Sequence, residues 1–521
     1  MLAASNFVGT PRSALGMIHG VSTRPWKDTV VTVAQPEVRA AAGALRGRLE
    51  SDVVVFKGIP FAEPPARFAA PQPVEAWDGT RDAVSYGPPP PQSGLLGVDA
   101  LSQSAEGWLT VNVWTPDPGA NLPVMVWIQG GGYLFGTSGR PEYDGGRLAR
   151  DGGVVVVTFN YRVGIEGFAQ IDGAPANRGL LDQLAALEWV RDNIGAFGGA
   201  PDQVTVFGQS AGAGSVAALL AMPRAAGLFR RAIVQSMPGT FFTPELAADV
   251  AGVLAASLGL KPGELATVAP GELPAVGDAV MARIGRFGDR WGLAAHRGVL
   301  LAPVVDGSTL RTDPWQALAG GAAREVDLIV GHVRHEQRLF ALIDGILGRI
   351  TEEQAAVALD LFAPGPDGAA AYRAAGGSPE ELYERVHSDW LFRMPSLHLA
   401  EAHTGRTHLY ELTWPAPGLG GLLGACHGLD VPLVFGNLTS GQPAMLLGDD
   451  LTGAEVVSAQ MRGAWTKFAT DGDPDWPAYD RENRLTRIFD TEPAVVPYPE
   501  EVSRRIWREH VFSALPLITD V

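Results

Sequence analysis

A mostly parallel or mixed β-sheet covered by helices is the architecture that this sequence predicts. Short β-branched runs recur along the chain, and several are apolar throughout, as strands buried on both faces are. Helical periodicity lies between them, and strand alternating with helix is the pattern of an α/β protein. No repeat of 20–50 residues and no compositional break divides the 521 residues, so one large domain is expected.

In chain order the expected strands are 53–56, 110–114, 124–128, 154–159, 204–207, 232–235, 327–330 and 408–412, each bounded by turn residues. Between the fourth and fifth, Leu180, Leu184, Leu187, Val190 and Ile194 share one face of a helix. Two longer helical stretches, about 244–298 and 339–403, interrupt the alternation. Insertions of this kind form a cap or pocket wall over a sheet, or extend its core. Residues 1–30 lack a basic segment followed by a continuous apolar core, so they read as a weakly ordered extension rather than a signal peptide. The domain is then expected over 31–521.

The net charge of −17 opposes nucleic acid or an anionic membrane as partner, because both demand a basic footprint. No apolar run approaches the roughly 18 residues of a spanning helix. A small-molecule partner and a cytoplasmic location are expected. Cys426 is the single cysteine, so no intrachain disulfide and no cysteine-held zinc or iron–sulfur centre can form.

Chemistry concentrates at Gly208-Gln209-Ser210-Ala211-Gly212. The bare G-x-S-x-G pattern is common by chance, and a serine-capped helix after a glycine turn would share it. Its context is specific: Val204-Thr205-Val206-Phe207 before it is a strand, and a helix of small residues follows. That is the strand–turn–helix of a nucleophile elbow, in which the hydroxyl of Ser210 emerges beside the unpaired N–H groups of a helix start. Gln129-Gly130-Gly131-Gly132-Tyr133 follows the 124–128 strand. Glycines there free the backbone to aim N–H groups at one point, as the oxyanion of a tetrahedral acyl intermediate requires. Gly131, Gly132 and Ala211 are the expected donors. No Gly-Lys dipeptide occurs, so the loop is not a phosphate-binding P-loop.

These segments, together with Asn177-Arg178-Gly179-Leu180-Leu181-Asp182-Gln183, Asn160-Tyr161-Arg162-Val163-Gly164, Pro303-Val304-Val305-Asp306-Gly307 and Cys426-His427-Gly428-Leu429-Asp430-Val431-Pro432, resemble the type-B carboxylesterases. That is the cholinesterase-like branch of the α/β-hydrolases, and the likeness runs in family order over about residues 36–480. It implies an α/β-hydrolase fold, a Ser–Glu–His triad, hydrolysis of carboxylic esters and no cofactor or metal. The sequence departs from the family at several points. Gln129 replaces the usual histidine before the glycines, Gln209 replaces the usual glutamate before the serine, and Glu106-Gly107-Trp108 lacks the cysteine of the common disulfide.

The resemblance implies His427 as the base and Glu336 as the acid, in the order Ser…acid…His. A serine hydroxyl needs a neutral imidazole within hydrogen-bond reach to become a nucleophile. Asp306 and Asp430 are the competing acids by position. The first reads as a turn residue and the second as a support of the histidine loop. His332, His335 and Glu336 lie close in sequence, but their spacing matches no helical zinc motif. His19, His387 and His510 read as surface or satisfied polar residues. Pocket-wall candidates are Phe135, Phe241, Phe242, Trp291, Phe340 and Trp390, each equally able to fill the core. Alternatives to the esterase reading are a carbamate, amide or lactone hydrolase on the same triad, or a non-catalytic binding domain. The last is opposed by the presence of Ser210, Glu336 and His427 together.

Overall fold

The computed structural model describes residues 35–519, apart from 65, 93, 95–105 and 442. The extension expected over residues 1–30 lies outside the described residues. Eleven strands form the central sheet. They are β1 (Arg48–Glu50), β2 (Val53–Pro60), β3 (Thr110–Thr115), β4 (Leu122–Ile128), β5 (Val155–Phe159), β6 (Gly199–Gln209), β7 (Arg231–Gln235), β8 (Asp327–Val333), β9 (Thr407–Leu412), β10 (Leu485–Phe489) and β11 (Ala494–Pro497). Their spatial order is β11-β10-β9-β8-β7-β6-β4-β5-β3-β2-β1. The run from β5 to β10 is parallel throughout. Antiparallel pairs close both ends. This is the α/β-hydrolase architecture.

The apolar runs are strands buried on both faces. Along β4, Val124, Val126 and Ile128 enter one core while Met125 and Trp127 enter the other, as the period-2 alternation of a strand requires. The first core holds Leu180, Leu184 and Leu187 of α1 (Arg178–Asn193) and the small residues of α2 (Ala211–Ala221). Further helices follow in the long inserted stretches: α3 (Pro244–Ala256), α4 (Leu273–Met281), α5 (Arg338–Ile343), α6 (Glu352–Phe362), α7 (Pro379–Ser388) and α8 (Met394–Ala402). Several carry explicit start signals. Thr243 caps α3 ahead of Pro244, and Thr351 with Gln354 and Ser378 with Glu381 form capping boxes. The second core receives Val457, Met461, Trp465 and Phe468 of α9 (Thr452–Asp471).

The order of the strands locates the site. The chain leaves β4 toward β5 on one side and leaves β6 toward β7 on the other, so β4 and β6 flank a topological switch point. Ligands of open α/β sheets bind outside the carboxyl ends of the strands at such a point. The glycine loop 130–132 and Ser210 are the residues found there.

One buried ion pair props this edge. Arg162, in the loop after β5, donates its backbone N–H and Nε to Asp182 Oδ2 at 2.9 and 2.8 Å and Nη2 to Oδ1 at 2.7 Å. Its Nη1 reaches the Ala69 carbonyl at 2.9 Å. The neighbouring Tyr161 hydroxyl donates to the Gln129 carbonyl at 2.6 Å, and the Gly164 N–H donates to the Tyr133 carbonyl at 2.7 Å. The pair therefore ties α1 to the backbone on either side of the glycine loop. Removing one partner of a buried pair strands the other charge and costs about 3–5 kcal/mol. We expect Asp182→Ala to lose stability on that scale in urea denaturation. By contrast, Asp192→Ala, which breaks the half-exposed Arg191–Asp192 pair, should lose less than about 1 kcal/mol. Equal losses would contradict this role for the buried pair.

Candidate active site

Ser210 stands at the turn from β6 into α2 with φ 58° and ψ −128°, a conformation that side-chain-bearing residues rarely adopt. Such strain in a non-glycine residue marks a functional turn. The two glycines of the motif serve close approach rather than unusual dihedrals. A Cβ on Gly212 would lie 2.0 Å from the Ile128 carbonyl oxygen, and one on Gly208 would lie 2.6 Å from the Gly212 carbonyl carbon. With no side chains there, α2 starts directly against the end of β4. The Ser210 N–H is fixed by the Gln235 carbonyl at 2.9 Å, and its carbonyl accepts from Gly214 N–H at 2.9 Å.

The glycine loop lies against this turn. A Cβ on Gly130 would meet the Gln209 carbonyl oxygen at 2.8 Å and the Ser210 Cβ at 3.1 Å. Gly131 and Gly132 have φ of 118° and 58°, and the Gly131 carbonyl accepts from Leu134 and Phe135 N–H. The N–H groups of Gly131 and Gly132 have no hydrogen-bond partner among the described residues. Ala211 is the first residue of α2, so its N–H precedes the helical ladder. Tyr133 turns away from the loop: it is buried, with its ring 4.7 Å from that of Phe168.

Two further loops converge on the same edge. His335 N–H donates to the Ala425 carbonyl at 2.8 Å, and Ala425 N–H donates to His335 Nδ1 at 3.2 Å. These bonds zip the loop after β8 to the loop that carries His427. Glu336 is fully buried between them. Its Oε1 accepts from Val333 N–H at 3.0 Å, and its Oε2 lies 2.6 Å from His427 Nδ1. A carboxylate only accepts, so Nδ1 carries the ring proton and Nε2 presents a lone pair. Nε2 meets the side-chain nitrogen of Gln209 at 3.1 Å. No hydrogen bond joins Nε2 to Ser210 Oγ in this structure; catalytic contacts of this kind often tighten only with substrate present. The imidazole is stacked on Phe392, ring centroids 4.3 Å apart, and flanked by Phe340 at 5.2 Å.

The competing carboxylates do other things. Asp306 accepts from Ser308 and Leu310 N–H and from Asn177 Nδ2, which makes it the organiser of its turn. Asp430 is fully buried and accepts from Gln235 Nε2 at 2.7 Å; Gln235 in turn accepts from Trp465 Nε1 at 3.0 Å. Burial pushes the Asp430 carboxyl up to about 6, with the charge of Glu336 adding to the effect. His332 and His335 are held well on the neutral side by burial, and His335 also by Arg338. Among the described residues no group of three or more His, Cys, Asp or Glu is arranged to hold a metal ion.

A cavity of about 320 Å³ is walled largely by apolar side chains, including Phe135, Ile165, Leu273, Met281, Leu301 and Ile343; the triad candidates and the loop glycines do not line it. Phe135 brings it to the glycine loop. Ile343 brings it to α5, whose Phe340 touches the imidazole. Of the six aromatic candidates from sequence, Phe135 lines this cavity and Phe340 the ring. Phe241 packs on Trp315, Trp291 on Phe287 and Trp390 on Phe362, and Phe242 is buried in the core. Sequence reasoning missed Phe392, the aliphatic wall and the contact of Gln209. The replacement at position 209 was the one visible signal for the last.

Comparison with known proteins shows the family and the fold. Residues 34–358 match the sequence model of the carboxylesterase family. The para-nitrobenzyl esterase of Bacillus subtilis is 38% identical over 486 residues, 89% of this chain and 96% of that protein. The phenmedipham hydrolase of Pseudarthrobacter oxydans is 34% identical, over 89% of this chain and 97% of its own. Among solved structures, a thermophilic para-nitrobenzyl esterase superposes with a TM-score of 0.80 at 36% identity, covering 91% of this chain and 99% of that one. A carboxylesterase of Geobacillus stearothermophilus superposes at 0.79 and 34% identity, covering 90% and 99%.

The burial of Asp430 has a measurable consequence. Its folded value lies above the ordinary aspartate value of about 3.9, so the folded state holds its proton longer than the unfolded state. Stability from this group is therefore present below about pH 4 and is lost as pH rises toward about 6. Asp430→Asn removes that loss and keeps an acceptor for Gln235. Relative to wild type, the variant should gain about 3 kcal/mol between pH 4 and pH 8 in urea denaturation. A stability difference independent of pH would show that Asp430 is not held protonated by burial.

Proposed function

The chain belongs to the carboxylesterase family and hydrolyses carboxylic esters, and on that premise we propose that Ser210 is the nucleophile, His427 the base and Glu336 the acid of its triad. The observation that carries the assignment is the 2.6 Å contact between the buried Glu336 and His427 Nδ1, with the opposite ring nitrogen facing the residue next to Ser210. Ser210 Oγ attacks the ester carbonyl and its proton passes to His427 Nε2. Glu336 holds the ring in the tautomer that can accept this proton and stabilises the imidazolium that forms. The N–H groups of Gly131, Gly132 and Ala211 receive the oxyanion. The imidazolium then protonates the leaving alcohol, and water hydrolyses the acyl-enzyme by the same route.

We place one flank of the ester in the apolar cavity beside the glycine loop. Its walls come in part from α4 and α5, so the helical insertions act as pocket wall. Among the described residues the cavity is lined by Glu166 and Asp278 and by no lysine or arginine, which favours neutral, apolar ester groups over anionic ones. The name of the B. subtilis relative makes para-nitrobenzyl esters the first substrates to test.

Two variants test the assignment together. Ser210→Ala should abolish turnover of a para-nitrobenzyl ester apart from the residual catalysis of the oxyanion hole. Glu336→Gln keeps shape but can favour the wrong tautomer, at a cost of up to about 10⁴ in kcat in the serine-protease template. We expect a loss of at least about 10²-fold in kcat with little change in KM, and a far smaller loss in Asp306→Asn and Asp430→Asn. A large loss in either aspartate variant, with Glu336→Gln active, would move the acid elsewhere.

A further inference from the structure

We propose that Gln209 is a positioning residue of the ester hydrolysis: its carboxamide NH₂ holds His427 in the neutral tautomer whose Nε2 accepts the serine proton, and gives up that lone pair when Ser210 delivers the proton. The inference rests on the reading of His427 as the base.

The contact is between Gln209 Nε2 and His427 Nε2, at 3.1 Å, and both side chains are buried. The chemistry of the partners fixes its direction. Glu336 can only accept, so it draws the ring proton to Nδ1. The remaining nitrogen is then an acceptor, and the group set against it must donate, which the amide NH₂ does. Gln209 ends β6, where its pairing with Gln235 holds its backbone in register, and Phe392 and Phe340 confine the ring from its faces. Neither partner can drift far without breaking sheet or stacking contacts.

The contact favours one protonation state. While the ring is neutral, the amide stabilises it. Once Nε2 has taken the proton from Ser210 Oγ, two donors face each other and the NH₂ must turn away or present Oε1. A carboxylate at this position would do the reverse, accepting from the imidazolium and stabilising the charged ring. Glutamine at position 209 therefore biases the resting site toward the reactive form of the base, and this bias opposes its inactivation by acid. The other titratable groups around the ring are Glu336 on Nδ1, Asp430 and Cys426 of its own loop, His335 of the zipped loop, and Tyr410 of β9 beside Glu336 and Asp430. The neighbouring cations are Arg338, which acts on Cys426 and His335, and Arg297, which lies over the Phe340 ring. A neutral replacement at 209 alters none of them.

The test is kcat/KM against pH for wild type, Gln209→Met and Gln209→Glu, with His427→Asn as control. Methionine keeps the bulk and removes the donor. Losing one hydrogen bond to the neutral ring lets it take up a proton sooner, so the acid limb should move to higher pH by about half a unit or more. Gln209→Glu should move it further in the same direction, through the opposite charge. An acid limb unmoved in a folded Gln209→Met enzyme overturns the inference, including when Gln209→Glu shifts it, because charge alone then accounts for the change. Should the variants not fold, a crystal structure of the unreacted wild-type enzyme decides. Gln209 on Nε2 supports the inference, and Ser210 Oγ on Nε2 with Gln209 turned away overturns it. Inactive His427→Asn with an unmoved Gln209→Met limb removes the role of Gln209 alone, whereas active His427→Asn removes the base and this inference together.

Discussion

The approach of α2 to the end of β4 is the constraint on which the site depends. The helix start can touch the Ile128 carbonyl only because Gly208 and Gly212 lack side chains. That contact forces Ser210 into its positive φ and sets the first N–H of α2 beside it. The same contact brings Gly130 against the Ser210 Cβ, so the glycine loop and the nucleophile are positioned by one another. Two peptide groups meeting at van der Waals distance thus convert a sheet's switch point into a focused set of donors around a hydroxyl. The energy of the strained turn is supplied by the surrounding core, above all by the two buried faces of β4 and β6.

Burial and hydrogen bonding divide the labour among the carboxylates. Glu336 and Asp430 are both inaccessible to solvent and lie close enough to influence one another. Glu336 has a donor for each oxygen, the Val333 N–H and the imidazole. Asp430 has one, Gln235, and its other oxygen has no partner among the described residues. An anion needs its lone pairs met when water is absent, so burial penalises charge on Asp430 and raises its carboxyl. The stacked Phe392 and Phe340 exclude water from the ring that Glu336 meets.

The sequence made most of this architecture readable because the relevant signals are strong and local. All eight expected strands are present, since each is an apolar β-branched run with turn residues at its ends. Of the central sheet, sequence reading missed the two edge strands, β1 and β11, and β10 beside the second, where Arg48, Glu50, Arg487 and Pro497 limit any apolar run. An edge strand is specified by its neighbour more than by its own residues. In the site, the elbow and the glycine loop were legible because glycine spacing reports backbone geometry directly. The cavity wall was not: Leu273, Met281, Leu301 and Ile343 come from separate segments, and each reads as ordinary core. Gln209 was visible as a departure from the family pattern, but its contact with His427 depends on how two loops meet in space.

The claim that Ser210 is the activated nucleophile is tested most directly by covalent trapping. The native enzyme would be treated with an active-site-directed phosphonate, digested, and its adduct located by mass spectrometry. One adduct, on Ser210, forming in step with loss of ester hydrolysis, is the result predicted here. An adduct on another residue, or full loss of activity with Ser210 unmodified, would contradict the account.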